Sequence, residues 1–264
     1  MNANALRAVM LGWVRRVARS PHRDRLVLRG SLLTSVWCPT RAAADVDHLV
    51  VGGFTHEEAR ALVDELLATA DESTSFDLSS TEHSIIWAET PSPGLRTKVM
   101  GRAGTAGEAL LQIDLGQGDE LVLAPSLVSV DENPPLLAVQ PETMFAWKFD
   151  GIFEFGHGSW RAKDLYDVWL LGQLPLPDER VVTSLRAAFH HQGMDLSVAD
   201  RFLFTEEWGR SRGSRRRWES FGRKAGLGAS LPDLVETVGH IRRRLLPIFA
   251  ALGHVGPGGG KLST

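Results

Sequence analysis

The stretch that decides the fold runs from Leu28 to Val51 and reads LRGSLLTSVWCPTRAAADVDHLVV. One apolar run ends at Gly30 and Ser31, and the next begins around Asp45 and Asp47. Apolar runs bounded by turn residues are typical of strands, and the segment that starts at Ser31 is predicted to be a helix. Because side chains alternate along a strand, the two aspartates are expected to leave the sheet on the same face.

Two carboxylates placed so close together repel each other unless they share a cation. Oxygen ligands of this kind suit Mg²⁺, which prefers one or two carboxylates together with water and substrate phosphates. Asp114, in the segment LLQIDLGQGDE, lies among alternating apolar residues and is predicted to come from a neighbouring strand. We therefore predict that Asp45, Asp47 and Asp114 bind two Mg²⁺ ions, one at the attacking oxygen and one at the phosphates of a nucleotide.

Gly30 and Ser31 are predicted to form a phosphate site beside these acids. A glycine at the end of a strand allows close approach of the backbone to a phosphate. The free amide groups and the dipole of a helix that begins at Ser31 favour an anion, to which the serine hydroxyl can add a hydrogen bond. A lone Asp-x-Asp or Gly-Ser is common and carries little weight, so the prediction depends on the order strand, Gly-Ser, helix and acidic strand.

The composition limits the class of protein. The net charge of −3, from 29 basic and 32 acidic residues, gives no overall attraction to nucleic acid. Cys38 is the only cysteine, which excludes an intramolecular disulfide and fits a reducing compartment. The first twenty residues place arginines in their apolar stretch, as in an amphipathic helix, and no stretch of the chain is apolar enough for a membrane span. We therefore expect a cytoplasmic protein with no membrane partner.

The residue pattern along the chain predicts an α/β (α+β) fold in three parts. Residues 1–135 are predicted to form a core domain with a mixed or antiparallel sheet flanked by helices, with later strands in HSIIWAE, RTKVMGRA, ALLQIDLG and ELVLAP. Residues 136–255 are predicted to form an all-helical domain that closes over the nucleotide, and 256–264 a disordered glycine-rich tail. The helices expected in the second part cover residues 141–155, 161–173, 178–192, 198–223 and 231–252.

LRGS followed by DVD resembles the glycine-serine and paired-aspartate signature of the DNA polymerase beta-like nucleotidyltransferase fold. Three later segments are similar, in the same order, to motifs of the AbiEii/AbiGii nucleotidyltransferase toxin family: LLQIDLGQGDELV, VQPETMFAWKFDGI and SWRAKDLYDVWLL. The resemblance covers roughly residues 26–171. It departs from the family at Trp147, where an acid usually precedes the lysine, and in RAAAD, which lacks a hydroxyl residue often found before the first aspartate.

This resemblance implies a Mg²⁺-dependent nucleotidyltransferase toxin of a bacterial toxin–antitoxin or abortive-infection system. Its substrate would be an NTP, its acceptor tRNA or another RNA, and its partner a cognate antitoxin. Residue by residue, the resemblance implies the following roles: Gly30, Ser31 and Arg41 bind the nucleotide, Asp45 and Asp47 act in catalysis as metal ligands, Lys148 binds the nucleotide and acts in catalysis, and Asp164 and Asp167 are catalytic.

Other interpretations stay open at this point. The acceptor can be a small molecule or a protein side chain, or the protein can be a catalytically inactive nucleotide-binding partner. Lys148 can pair with an anion or extend its amine to solvent, and Asp164 and Asp167 can be catalytic or form ion pairs with Arg161 and Lys163. The segment EEWGRSRGSRRRWESFGRK can bind RNA through arginines and stacking tryptophans, or be a solvated basic helix face with two tryptophans in the core.

Overall fold

The structure, a computed structural model, describes residues 2–154 and 160–254. Contacts divide the chain into two compact units, residues 1–140 and residues 141–264, and each is described by itself below. The predicted glycine-rich tail, 256–264, lies outside the described residues. Among the helices that the structure describes, none is long and apolar enough to cross a membrane.

The first unit is built on a seven-stranded mixed sheet, in the strand order β3-β4-β5-β2-β1-β7-β6. The pairs β2/β5 and β1/β7 are parallel, and the other neighbouring strands are antiparallel. The elements in chain order are α1 (Ala3–Arg19), β1 (Leu26–Arg29), α2 (Gly30–Trp37), β2 (Val46–Val50), α3 (His56–Ala68), β3 (Thr74–Ile86), β4 (Gly94–Ala103), β5 (Gly107–Gly116), β6 (Ser126–Val128) and β7 (Leu136–Ala138). The predicted mixed sheet is therefore confirmed, and its last strand follows the domain boundary predicted after residue 135.

Helices α1 and α3 begin where their sequences indicate. The Asn2 side chain accepts hydrogen bonds from the first amides of α1. At α3, Thr55 and Glu58 form a reciprocal capping box, as their spacing indicates. Both helices contact strands β3 and β4, and α1 buries Trp13 completely. The Trp13 indole donates a hydrogen bond to the His48 ring on β2, and this core holds one face of the sheet in place.

Asp71 ties α1 to the start of β3. Its carboxylate accepts hydrogen bonds from Arg15 at 2.9 Å from Nε and 2.8 Å from Nη2, and from the backbone amides of Ser73 and Thr74. Only 3% of the Asp71 side chain is exposed. The hydrogen bond from Arg15 is the largest cause that holds the pKa of Asp71 far below its ordinary value, against the opposing effect of burial.

Replacing Asp71 with asparagine is expected to lower the free energy of unfolding at pH 7 by about 2 kcal/mol, since hydrogen bonds to a charged group are lost. Because the folded-state pKa of Asp71 is depressed, its contribution is complete above the ordinary value of 3.8 and is lost as the pH falls below it. Urea unfolding at pH 7 and at pH 3 measures this. The Asp24→Asn variant is the control, because Asp24 is 79% exposed. An Asp71→Asn variant as stable as the wild type at pH 7 would contradict the assignment.

In the second unit, every regular element among residues 141–154 and 160–254 is helical, which confirms the predicted all-helical region. A cluster of aromatic rings, with Phe149 in contact with Phe189, Phe202 and Phe249, forms its core. The α-helices are α4 (Pro141–Asp150), α5 (Ala162–Leu171), α6 (Asp178–His191), α7 (Asp200–Phe204), α8 (Arg212–Lys224) and α9 (Leu234–Ala251).

Two predictions about individual elements are wrong. The segment ELVLAP forms no strand: Gly118 takes a φ of +90°, and Asp119 forms an ion pair with Arg29, so the chain turns away after β5. The single helix predicted over 198–223 is two helices, α7 and α8. Gly209, with a φ of +83°, lies between them, and the Ser211 hydroxyl caps the start of α8.

Candidate active site

Four charged residues form a row across the central strands. The strand register places Asp47 of β2 between Arg29 of β1 and Asp114 of β5. On its other side, Asp114 lies opposite Arg96 of β4. Residues that lie opposite each other on neighbouring strands project from the same face of a sheet. Two carboxylates therefore lie side by side on this face, with an arginine next to each.

Asp45 completes an acidic cluster, which we define as Asp45, Asp47 and Asp114. When one carboxylate oxygen is taken from each residue, the three oxygens all lie within 4.8 Å of one another. Asp114 is buried, whereas Asp45 and Asp47 are half-buried. These all-oxygen donors, open to solvent on one side, fit a hard divalent cation such as Mg²⁺ or Mn²⁺. The structure thus brings together the three residues predicted as metal ligands, and metal binding itself stays a prediction.

Ser31 positions the first of these carboxylates. Its hydroxyl donates a hydrogen bond of 2.6 Å to Asp45 Oδ1 and accepts one of 3.2 Å from the backbone amide of Ala44. Ser31 lies in the first turn of α2, where the backbone amides have no partner within the helix. The serine therefore holds Asp45 in place, and its predicted contact with a triphosphate stays a prediction.

Gly30 allows α2 to start next to the acidic cluster. Its φ is +76°, in the left-handed region, and a Cβ atom at this position would overlap the Asp47 carboxylate. A residue with a side chain would be strained in its backbone and would also displace Asp47. The glycine of the Gly-Ser pair is therefore needed for the position of a carboxylate, in addition to its predicted role in nucleotide binding.

Arg96 is a residue of this site that the sequence analysis missed. Its Nε atom donates to Asp114 Oδ1 at 2.8 Å and its Nη2 atom to Asp114 Oδ2 at 2.6 Å, a bidentate pair. The hydrogen bond to Asp114 raises the pKa of Arg96, against desolvation, and the charges of Asp45 and Asp47 raise it further. The alternation of β4 indicates this face, and the short Gly104–Ala106 connection indicates a hairpin that places Arg96 opposite Asp114.

A second group of predicted residues meets within the helical unit. The Lys148 amine on α4 lies 3.0 Å from Asp164 Oδ1 and 3.5 Å from Asp167 Oδ2, both on α5. Both aspartates are almost completely buried, and Arg161 also contacts Asp164. Burial alone would raise the pKa of Asp164, but Lys148 and Arg161 outweigh it and hold this pKa below its ordinary value. The contacts show a buried ion-pair cluster, and the catalytic roles of its members stay predictions.

Arg41 lies in the connection between α2 and β2, and its guanidinium donates a hydrogen bond to the carbonyl of Ala42. Its predicted contact with a nucleotide stays a prediction. A cavity of about 470 Å³ lies at the other end of β2, lined by the segments 49–53 and 117–119 and by Pro91, Ser92 and Leu121. None of the three clustered aspartates is among these lining residues, so this cavity is distinct from the acidic cluster.

Comparison with known proteins supplies a family and a fold. The family model described as "Nucleotidyl transferase AbiEii toxin, Type IV TA system" matches residues 13–239. No curated protein matches the chain. Among solved structures, the chain is similar to the crystal structure of JHP933 from Helicobacter pylori, with a TM-score of 0.53 and 16% identity over 94% of this chain and 92% of that one. At this identity the likeness shows a shared fold.

Proposed function

Because the chain belongs to the AbiEii family of nucleotidyl transferase toxins of type IV toxin–antitoxin systems, we propose that it transfers NMP from an NTP to an acceptor hydroxyl. In this reaction the acceptor oxygen forms a bond to the α-phosphorus, the bond to the β-phosphate oxygen breaks, and pyrophosphate leaves. The hydroxyl proton passes to solvent or to a nearby base. A cognate antitoxin is the proposed protein partner.

The observation that carries this proposal is the acidic cluster beside the start of α2. Asp45, Asp47 and Asp114 would hold Mg²⁺, and the amides at Gly30 and Ser31 would bind the triphosphate. Magnesium, when bound, supplies positive charge that offsets the charge developing on the entering and leaving oxygens. Ser31 fixes the orientation of Asp45, so that this carboxylate needs little rearrangement when the substrate binds.

The acceptor that we propose is tRNA or another RNA, and the support comes from α8. This helix carries six exposed basic residues and a single carboxylate, Glu219. The basic residues are Arg212, Arg215, Arg216, Arg217, Arg223 and Lys224. A chain with a net charge of −3 therefore concentrates positive charge on one helix, which suits a phosphate backbone.

The two tryptophans of this region, Trp208 and Trp218, are too buried to stack on the bases of an RNA. Trp208 and Trp218 are only 8% and 3% exposed, and the Trp218 indole donates to the carbonyl of Pro232. Of the two interpretations left open by the sequence, the burial of these rings supports core packing and contradicts base stacking. Binding through α8 would use phosphate contacts alone and would depend on salt more than on sequence.

The double variant R215Q/R216Q is expected to weaken binding of tRNA at least about tenfold at low salt and to reduce the slope of log K against log salt by about 1 to 2. Fluorescence anisotropy with labelled tRNA measures both quantities. The control is R60Q/R186Q, which removes two exposed arginines elsewhere in the chain. Equal affinities for wild type and R215Q/R216Q would reject α8 as the RNA-binding surface.

The function itself is tested by incubating the purified chain with α-³²P-labelled NTPs, Mg²⁺, total RNA, protein extract and small metabolites. Label in RNA, together with released pyrophosphate, is the expected result. If the label is confined to a protein or to small molecules, the protein is still a nucleotidyltransferase, but its acceptor is not RNA. NTP binding without pyrophosphate release, unaffected by substitution of Asp45 and Asp47, would establish an inactive nucleotide-binding protein.

A further inference from the structure

We propose that Arg96 is the resident counter-cation of Asp114 within the acidic cluster and that a divalent metal ion must compete with its guanidinium for this carboxylate. This inference rests on the metal site of the proposed function and adds a constraint to it. Arg96 would make metal binding weak in the absence of nucleotide. The NTP would then be needed to bring the metal ion in.

The hydrogen-bond geometry is the first support. Both oxygens of Asp114 accept from Arg96, at 2.8 and 2.6 Å, in the planar arrangement that makes arginine–carboxylate pairs strong. The Asp114 side chain is only 5% exposed, so water competes weakly for these oxygens. A cation that binds the same oxygens has to share them with the guanidinium, and the two positive charges repel each other at short range.

The charge balance of the sheet face is the second support. Three carboxylates whose nearest oxygens lie within 4.8 Å of one another repel strongly when no cation is near. Arg96 supplies one positive charge directly opposite Asp114 and is attracted by Asp45 and Asp47 as well. The guanidinium thus stabilises the metal-free cluster, and the same charge opposes the approach of a divalent cation.

The third support is that Arg96 differs from the other arginine on this face of β4. Arg102 lies six residues further along the strand, has a side chain 68% exposed, and pairs with Glu108. Arg96 is about half as exposed, at 35%, and faces the acidic cluster. Arg102 therefore offers a matched control: the same substitution on the same strand, away from the three carboxylates.

The test measures Mn²⁺ binding to the full chain without nucleotide, by electron paramagnetic resonance of free Mn²⁺. The R96Q variant is expected to bind Mn²⁺ at least about tenfold more tightly than wild type, since a neighbouring positive charge is removed. Its melting temperature in EDTA should fall, and Mn²⁺ should restore it. R102Q should match the wild type in all of these measurements.

R96K keeps the charge but cannot hold both oxygens, so it is expected to bind Mn²⁺ about threefold more tightly than wild type. This variant tests the idea even if R96Q does not fold. Unchanged or weaker Mn²⁺ binding in the folded Arg96 variants would overturn the inference. The D45N variant shows whether the metal site exists independently of Arg96. If D45N weakens Mn²⁺ binding and the Arg96 variants leave it unchanged, the site exists and Arg96 does not compete with the metal ion.

Discussion

Replacing Asp45 with asparagine is expected to lower the rate of NMP transfer at least about 10³-fold. Rate losses of this size are typical when an enzyme loses a group that stabilises charge in the transition state. The amide removes one negative charge from the acidic cluster, and Mg²⁺ is held poorly by what remains. The fold should persist, since the asparagine oxygen can still accept the hydrogen bond from Ser31. Single-turnover kinetics and thermal unfolding of the same preparation measure both effects.

The control for this variant is Glu108→Gln. Glu108 lies on β5, the strand that carries Asp114, but it is 52% exposed and pairs with Arg102. The E108Q protein is therefore expected to retain wild-type transfer rates. An Asp45→Asn protein that transfers NMP at more than a tenth of the wild-type rate would remove Asp45 from the catalytic site.

Replacing Gly30 with alanine is expected to have the second large effect, because it changes both the backbone and the site. A residue with a Cβ atom costs about 1–2 kcal/mol in the left-handed region, and here the new methyl group would also overlap the Asp47 carboxylate. We expect lower stability together with loss of Mn²⁺ binding and of transfer by at least about two orders of magnitude, since Asp47 must move.

Gly52→Ala separates these two causes. Gly52 has a φ of +85°, close to that of Gly30, but nothing lies within 4 Å of the position that its Cβ would take. The Gly52→Ala protein should show a similar loss of stability and normal Mn²⁺ binding. Similar Mn²⁺ binding in the Gly30 and Gly52 variants would show that the Gly30 methyl group does not disturb the metal site.

The parts of the fold that depend on local patterns could be predicted from the sequence. Thr55 and Glu58 indicate a capping box because both partners lie within one helical turn. Asp45 and Asp47 indicate a shared face because alternation is a local property of strands. Asp114 could be chosen because a carboxylate among alternating apolar residues needs a partner. These inferences require no knowledge of which strands are neighbours.

The parts that depend on tertiary pairing could not be predicted. Arg96 is a different case, because it faces Asp114 across the β4–β5 hairpin and the short Gly104–Ala106 connection sets the register of that hairpin, a local signal that the sequence analysis did not use. The hydrogen bond from Ser31 to Asp45 joins the first turn of α2 to the connection before β2. The burial of Trp218 likewise depends on a partner carbonyl at Pro232 and on packing within the helical unit.

Whether the acidic cluster binds the catalytic metal ions can be seen in a crystal of the protein grown with Mn²⁺ and a non-hydrolysable NTP. Diffraction near the manganese absorption edge locates the ions without assumption. We expect anomalous density between the carboxylates of Asp45, Asp47 and Asp114, with the triphosphate against Gly30 and Ser31. Manganese bound elsewhere in an ordered complex, with these three carboxylates uncoordinated, would contradict this expectation.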